Sequence, residues 1–100
     1  MPNTTSEKTT TFIGTYHYGL GRRKTASARV RLYKGSGRVV VNNKDEKDYF
    51  GGLASLIVRV SEPLVTTGNK QQFDVSARVI GGGVAAQADA IRLGVARALV

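Results

Sequence analysis

The stretch Arg22-Arg23-Lys24-Thr25-Ala26-Ser27-Ala28-Arg29-Val30-Arg31-Leu32-Tyr33 alternates polar with apolar or small residues, and that alternation decides the fold. Side chains point to opposite faces of a strand in turn, so Thr25, Ser27, Arg29, Arg31 and Tyr33 share one face. Ala26, Ala28, Val30 and Leu32 take the other. One face is suited to a core, and the opposite one shows hydroxyls, two guanidinium groups and a phenol to an outside partner. Guanidinium forks match phosphate oxygens, and an aromatic ring offers a base its flat face. The mixture points to RNA. The reading places Arg22-Arg23-Lys24 at the opening of this main strand.

Working outward, Tyr16, Tyr18 and Leu20 alternate with His17 and Gly19, which predicts a short first strand. After the main strand, Lys34-Gly35-Ser36-Gly37 reads as a turn, and Arg38-Val39-Val40-Val41-Asn42 as the strand that completes a hairpin with it. Asn42-Asn43 ends that strand, since both residues tolerate left-handed backbone. Asp45 to Phe50 predicts a short helix or turn. Leu53, Leu56, Ile57 and Val60 recur at i, i+3, i+4 and i+7, the spacing of one helix face, and Pro63 is expected to stop that helix. Val65 to Gln72 reads as a loop. Phe73, Val75, Ala77 and Val79 form an alternating strand with Asp74, Ser76 and Arg78 opposite. Gly81-Gly82-Gly83 then leads into a helix from Val84 to Val100, with Val84, Ala88, Ile91, Val95, Ala98 and Leu99 along one side. The order β-β-β-α-β-α predicts an α+β fold in which helices cover one face of a small mixed sheet and leave the other open. Residues 1–12 offer little to bury and read as a flexible tail, which leaves 13–100 as a single domain.

Fifteen Lys and Arg against seven Asp and Glu give a net charge of +8 and a pI near 10.3, which favours a polyanionic partner. No apolar run approaches a membrane span, and the Thr-rich start lacks the apolar stretch of a signal peptide. The absence of cysteine excludes disulfides and thiolate zinc sites and fits a reducing compartment, so the chain reads as cytosolic.

Gly19-Leu20-Gly21-Arg22-Arg23-Lys24-Thr25 has the look of a phosphate loop, yet a P-loop needs Gly before the Lys and the dinucleotide fingerprint needs a third Gly at position 24. What remains is a glycine-flexed segment delivering three cations to a phosphate backbone, or else a solvated charge run. Gly81-Gly82-Gly83 at a helix N-terminus reads as an anion site that Arg78 and Gln87 complete, or as glycines that let the helix approach the sheet. Ala90 and Gly94, one turn apart, admit close approach by RNA or a second helix, with packing inside the protein preferred. Arg92 is expected to pair with Asp89 at i, i+3, whereas Arg97 lacks an acidic neighbour on its helix and is the better RNA candidate. The lone His17 reads as a structural group, and Asp45, Glu46 and Asp48, interleaved with Lys44 and Lys47, as a solvated helix face. No nucleophile–base pair, metal site or cofactor site is expected.

Two of these segments resemble a known family. Gly21 to Val30 resembles the opening motif of the family of the ninth protein of the small ribosomal subunit, in its bacterial form. Gly81 to Leu99, with its triple glycine, Gln87, Ile91-Arg92-Leu93-Gly94 and Ala96-Arg97-Ala98-Leu99, is similar to that family's hallmark segment. Tyr49-Phe50-Gly51 and Pro63-Leu64 also fall where the family has similar residues. The resemblance implies a βαβ-type fold like the second domain of the fifth small-subunit protein, with a left-handed crossover that departs from the usual rule. It implies binding to ribosomal RNA in the subunit head, beside neighbouring ribosomal proteins, in the cytoplasm or an organelle. Carried over by position, it implies RNA contacts at Arg22, Arg23, Lys24, Arg29, Arg31, Gln87, Arg92 and Arg97, to which the reading of the residues adds Arg78, Gly81, Gly82 and Gly83. Asn42-Asn43 stands where the family often has Asn-Gly. Family members continue into a basic C-terminal tail that reaches the peptidyl-site transfer RNA, so that contact is expected only of residues beyond Val100. The expected function is structural: phosphate neutralisation and shape recognition without catalysis. The alternatives are a non-ribosomal RNA or single-stranded DNA binder, and a small enzyme acting on phosphate-bearing substrates through Gly81-Gly82-Gly83.

Overall fold

The computed structural model describes residues 14–69 and 71–100, so the expected tail over 1–12 lies outside the described residues. Strand β1, Tyr16–Arg23, runs antiparallel to β2, Ala26–Lys34, with Arg23 opposite Ala26. The connecting turn is Lys24-Thr25, with Lys24 at φ +55°. Arg22 and Arg23 therefore close β1 and do not open β2. The short first strand expected from Tyr16 to Leu20 thus runs on through Gly21 to Arg23. Here Gly19 and Gly21 lie beneath the last helix, where a Cβ would overlap the carbonyl oxygens of Gly94 and Ala90. The glycines are what let β1 extend under that helix.

The remaining elements are β3 (Val39–Val41), β4 (Lys44–Asp45), α1 (Glu46–Tyr49), α2 (Ala54–Thr66), β5 (Phe73–Ile80) and α3 (Val84–Ala98). They complete a five-stranded mixed sheet in the order β1-β2-β5-β3-β4. The expected β2–β3 hairpin does not form. β5 lies between the two, antiparallel to β2 and parallel to β3. The glycine-rich segment after β2 wraps around the carboxylate of Asp74 on β5. Asp74 Oδ1 accepts the backbone N–H groups of Ser36, Gly37 and Arg38 at 3.1, 3.2 and 2.9 Å. A Cβ at Gly35 would overlap that same carboxylate. The loop's donors are thus satisfied by a residue far along the chain instead of by a local hairpin ladder.

Asn42 and Asn43 both adopt positive φ, +49° and +67°, the combination a type I′ hairpin turn requires between β3 and β4. Asn42 does more: its Oδ1 accepts the Val79 N–H at 2.8 Å and its Nδ2 donates to the Val79 carbonyl at 3.0 Å, prolonging the β3–β5 ladder with a side chain. Asp45 caps α1 by accepting the Lys47 N–H. α2 does not stop at Pro63 but continues to Thr66. Burial of Leu64 just after the proline and a 2.8 Å hydrogen bond from the Thr67 hydroxyl to the Pro63 carbonyl hold its last turn.

α3 crosses β1 and β2 directly, and α2 packs against α3. Between them lies one apolar cluster: Val30, Leu32, Val39, Val41, Val75 and Val79 from the sheet, Leu56, Val60 and Leu64 from α2, and Ala88, Ile91 and Val95 from α3. Leu53 and Val84, both expected in the core, are instead 52% and 46% exposed. Leu53 precedes α2 in an extended conformation, and Val84 opens α3 beyond the sheet's end. The approach expected of Ala90 and Gly94 is made by β1, neither by RNA nor by a second helix.

Candidate nucleic-acid interface

Among the described residues, alternation leaves one sheet face free of helices. From β1 it carries Tyr16, Tyr18, Leu20 and Arg22; from β2, Ser27, Arg29, Arg31 and Tyr33; from β5, Asp74, Ser76, Arg78 and Ile80. The register sets Arg29 directly opposite Arg78, and Arg31 opposite both Tyr18 and Ser76. Like charges facing each other across a ladder are destabilising, and here both side chains are exposed. The one carboxylate of this patch among the described residues, Asp74, lies at its far end, turned to the 36–38 backbone. Arg29, Arg31, Ser76, Arg78, Asn43 and Ile80 line an open groove across the strands. A groove of this kind, walled by guanidinium groups with hydroxyls and amides between, holds phosphate oxygens by bidentate, charge-assisted hydrogen bonds.

Aromatic groups border it. The Arg31 guanidinium sits 4.9 Å from the centre of the Tyr16 ring, and the Tyr16 and Tyr33 rings are 5.3 Å apart and tilted. Tyr33 is buried, whereas Tyr18 is half exposed and Ile80 is 75% exposed. The sequence drew attention to the tyrosines and the β2 arginines. It missed Ile80, Asn42 and Asn43, because only the insertion of β5 between β2 and β3 brings them to the same groove.

The other expected residues disperse. Arg22 faces the open side and Lys24 occupies the β1–β2 turn, but Arg23 points to the helix side. Its Nε lies 3.7 Å from Asp89 Oδ2, while Arg59 Nη1 donates to Asp89 Oδ1 at 3.2 Å. Asp89 thus serves β1 and α2, and the expected Arg92–Asp89 pair is absent. Arg92 instead reaches Glu62 on α2 at 3.2 Å. These pairs are partly solvated, so each contributes little to stability. Arg97 has no acidic partner among the described residues, and its Nη1 donates to the Leu20 carbonyl of β1 at 2.8 Å.

The pocket expected from Gly81-Gly82-Gly83, Arg78 and Gln87 is not assembled. Arg78 projects from the face opposite α3. Gln87 Oε1 accepts the Tyr49 hydroxyl at 2.6 Å and its Nε2 donates to the Gly81 carbonyl at 3.0 Å, so both ends of the amide are engaged within the protein. A Cβ at Gly81 would overlap the Thr25 carbonyl, which supports the packing role for that glycine. At Gly83, the N-cap of α3, a Cβ would meet open space. His17 sets its ring edge-on to Phe73 at 6.0 Å. Among the described residues no cluster of His, Asp and Glu is placed to hold a metal ion, and no helix is long and apolar enough to cross a membrane.

Residues 21–100 match the family model described as ribosomal protein S9/S16. The chain is also 48% identical over 83 residues to the small ribosomal subunit protein uS9 of Picosynechococcus sp.. That alignment covers 83% of this chain and 61% of the cyanobacterial protein, so the chain spans about three fifths of its relative's length.

Proposed function

The chain belongs to the ribosomal protein S9/S16 family, and from that premise we propose that it is a structural, RNA-binding constituent of the small ribosomal subunit. It binds ribosomal RNA of the subunit head through the open sheet face and carries out no catalysis. The observation behind this reading is the Arg29–Arg78 apposition flanked by Arg31. Folding alone gives no reason to place two exposed guanidinium groups side by side; a phosphate between them removes the repulsion. Folded RNA brings its own phosphates close together, and the same contacts relieve that crowding while releasing counterions. Arg22 and Lys24 extend the positive surface toward the β1–β2 turn. Arg23, Arg92 and Arg97 are engaged mainly within the protein, between α3 and β1 or α2. Gln87, Gly81 and Gly82 shape the domain. Contact with peptidyl-site transfer RNA is assigned to no residue up to Val100.

The test is incorporation. Tagged protein should co-sediment with small subunits and their precursors. Arg29→Ala/Arg78→Ala should weaken that association severalfold while retaining its cooperative thermal transition. Wild-type association by this folded double variant, or absence of the wild-type protein from small subunits, would overturn the proposal.

A further inference from the structure

The open face combines clustered guanidinium groups with exposed apolar and aromatic side chains. Its arginines form a central cluster, and the two most exposed apolar or aromatic groups among its described residues lie on opposite sides of that cluster. Tyr18 sits on β1 opposite Arg31, and Ile80 ends β5 opposite Ser27. Two strand spacings and four residues separate them, a diagonal of about 16 Å. Tyr18 is 50% exposed and Ile80 75%. Against a duplex, both would be pressed onto phosphates and sugars, which strips water from charged groups and gives nothing in return. A sheet face several strands wide also cannot enter the narrow major groove of A-form RNA.

We propose that this face binds an unpaired RNA segment, with phosphates on Arg29, Arg31 and Arg78 and unstacked bases laid on Tyr18 on one side of the arginines and on Ile80 on the other. The inference rests on the RNA-binding reading above and specifies the form of RNA recognised. Tyr16 is unsuited to the same task because Arg31 already lies over its ring and Tyr33 beside it. Tyr18 therefore carries the base. Because the platform is flat and its cations contact phosphate alone, discrimination falls between unpaired and paired RNA and only weakly among base sequences.

The experiment compares the wild-type chain, Tyr18→Ala, Tyr18→Phe and Arg78→Ala in binding a fluorescent unpaired oligonucleotide and a perfect RNA duplex of equal length, at several salt concentrations. The wild-type protein should prefer the unpaired strand at least tenfold. Tyr18→Ala should lose roughly 5- to 150-fold in affinity for it, the range of one base–aromatic stack, while Tyr18→Phe retains wild-type affinity. Arg78→Ala should reduce the slope of log K against log salt by about 0.7, one single-strand phosphate contact. Equal affinity for duplex and unpaired strand, or an unchanged affinity of folded Tyr18→Ala, would overturn the inference while leaving RNA binding itself intact. Failure to bind either RNA would remove the broader reading with it.

Discussion

Replacing Arg78 with Gln separates what this face does for folding from what it does for binding. Arg78 and Arg29 are direct cross-strand partners, both exposed. Two unit charges at ~7 Å repel by about 0.6 kcal/mol in a water-like dielectric, and by more where the sheet displaces solvent. Directly opposed like charges in sheets cost about 0.2–1 kcal/mol, the same range. Arg78→Gln should therefore stabilise the free protein by about 0.5–1 kcal/mol at low salt, a rise in Tm of about 2–6 °C for a domain of this size. Arg92→Gln provides a control with the same change in net charge: it breaks the pair with Glu62 and should lower Tm slightly. At 1 M salt, where the Debye length is ~3 Å, the gain of Arg78→Gln should vanish. Scanning calorimetry of both variants at low and high salt measures all of this. A lower Tm for Arg78→Gln at low salt, or a gain that survives high salt, would refute the claim that the arginines oppose each other in the free protein.

Other expectations follow from packing. Gly21→Val should destabilise the domain by about 1–3 kcal/mol, because its side chain has to displace the Ala90 carbonyl where α3 crosses β1; urea denaturation measures the loss. Gly83→Ser should add roughly a few tenths of a kcal/mol in the same assay, since the space at this N-cap is open and α3 has no side-chain cap. Ile91→Asp buries a carboxylate at a fully buried position and should abolish the cooperative thermal transition followed by circular dichroism.

Much of this architecture is legible in the residues. The alternation of β2 and of Phe73 to Ile80 survives unchanged because each strand buries one face, and a one-residue slip would turn the whole set to solvent. The order of strands is not legible locally. Lys34-Gly35-Ser36-Gly37 has good hairpin chemistry, and only Asp74, 36 to 38 residues away, diverts it into a crossover. Pro63 misleads for a related reason: tertiary burial of Leu64 outweighs a local preference. The site follows the same pattern. Arg29, Arg31 and Arg78 are identifiable from their strands, but their grouping depends on β5 lying beside β2. Arg23 looks like a free cation until the fold brings Asp89 to it, and Arg92, expected to pair with Asp89, meets Glu62 on α2 instead. Gln87 looks like a phosphate ligand until Tyr49 and Gly81 engage both ends of its amide.

The central claim is that the open sheet face meets ribosomal RNA. Ultraviolet crosslinking in cells, with sequencing of the RNA sites and mass spectrometry of the crosslinked peptides, tests it most directly. The account predicts RNA sites concentrated in the head of the small subunit and peptides drawn from residues 16–33 and 73–80. Crosslinks confined to peptides of α2 and α3, or scattered over messenger and transfer RNAs, would contradict it.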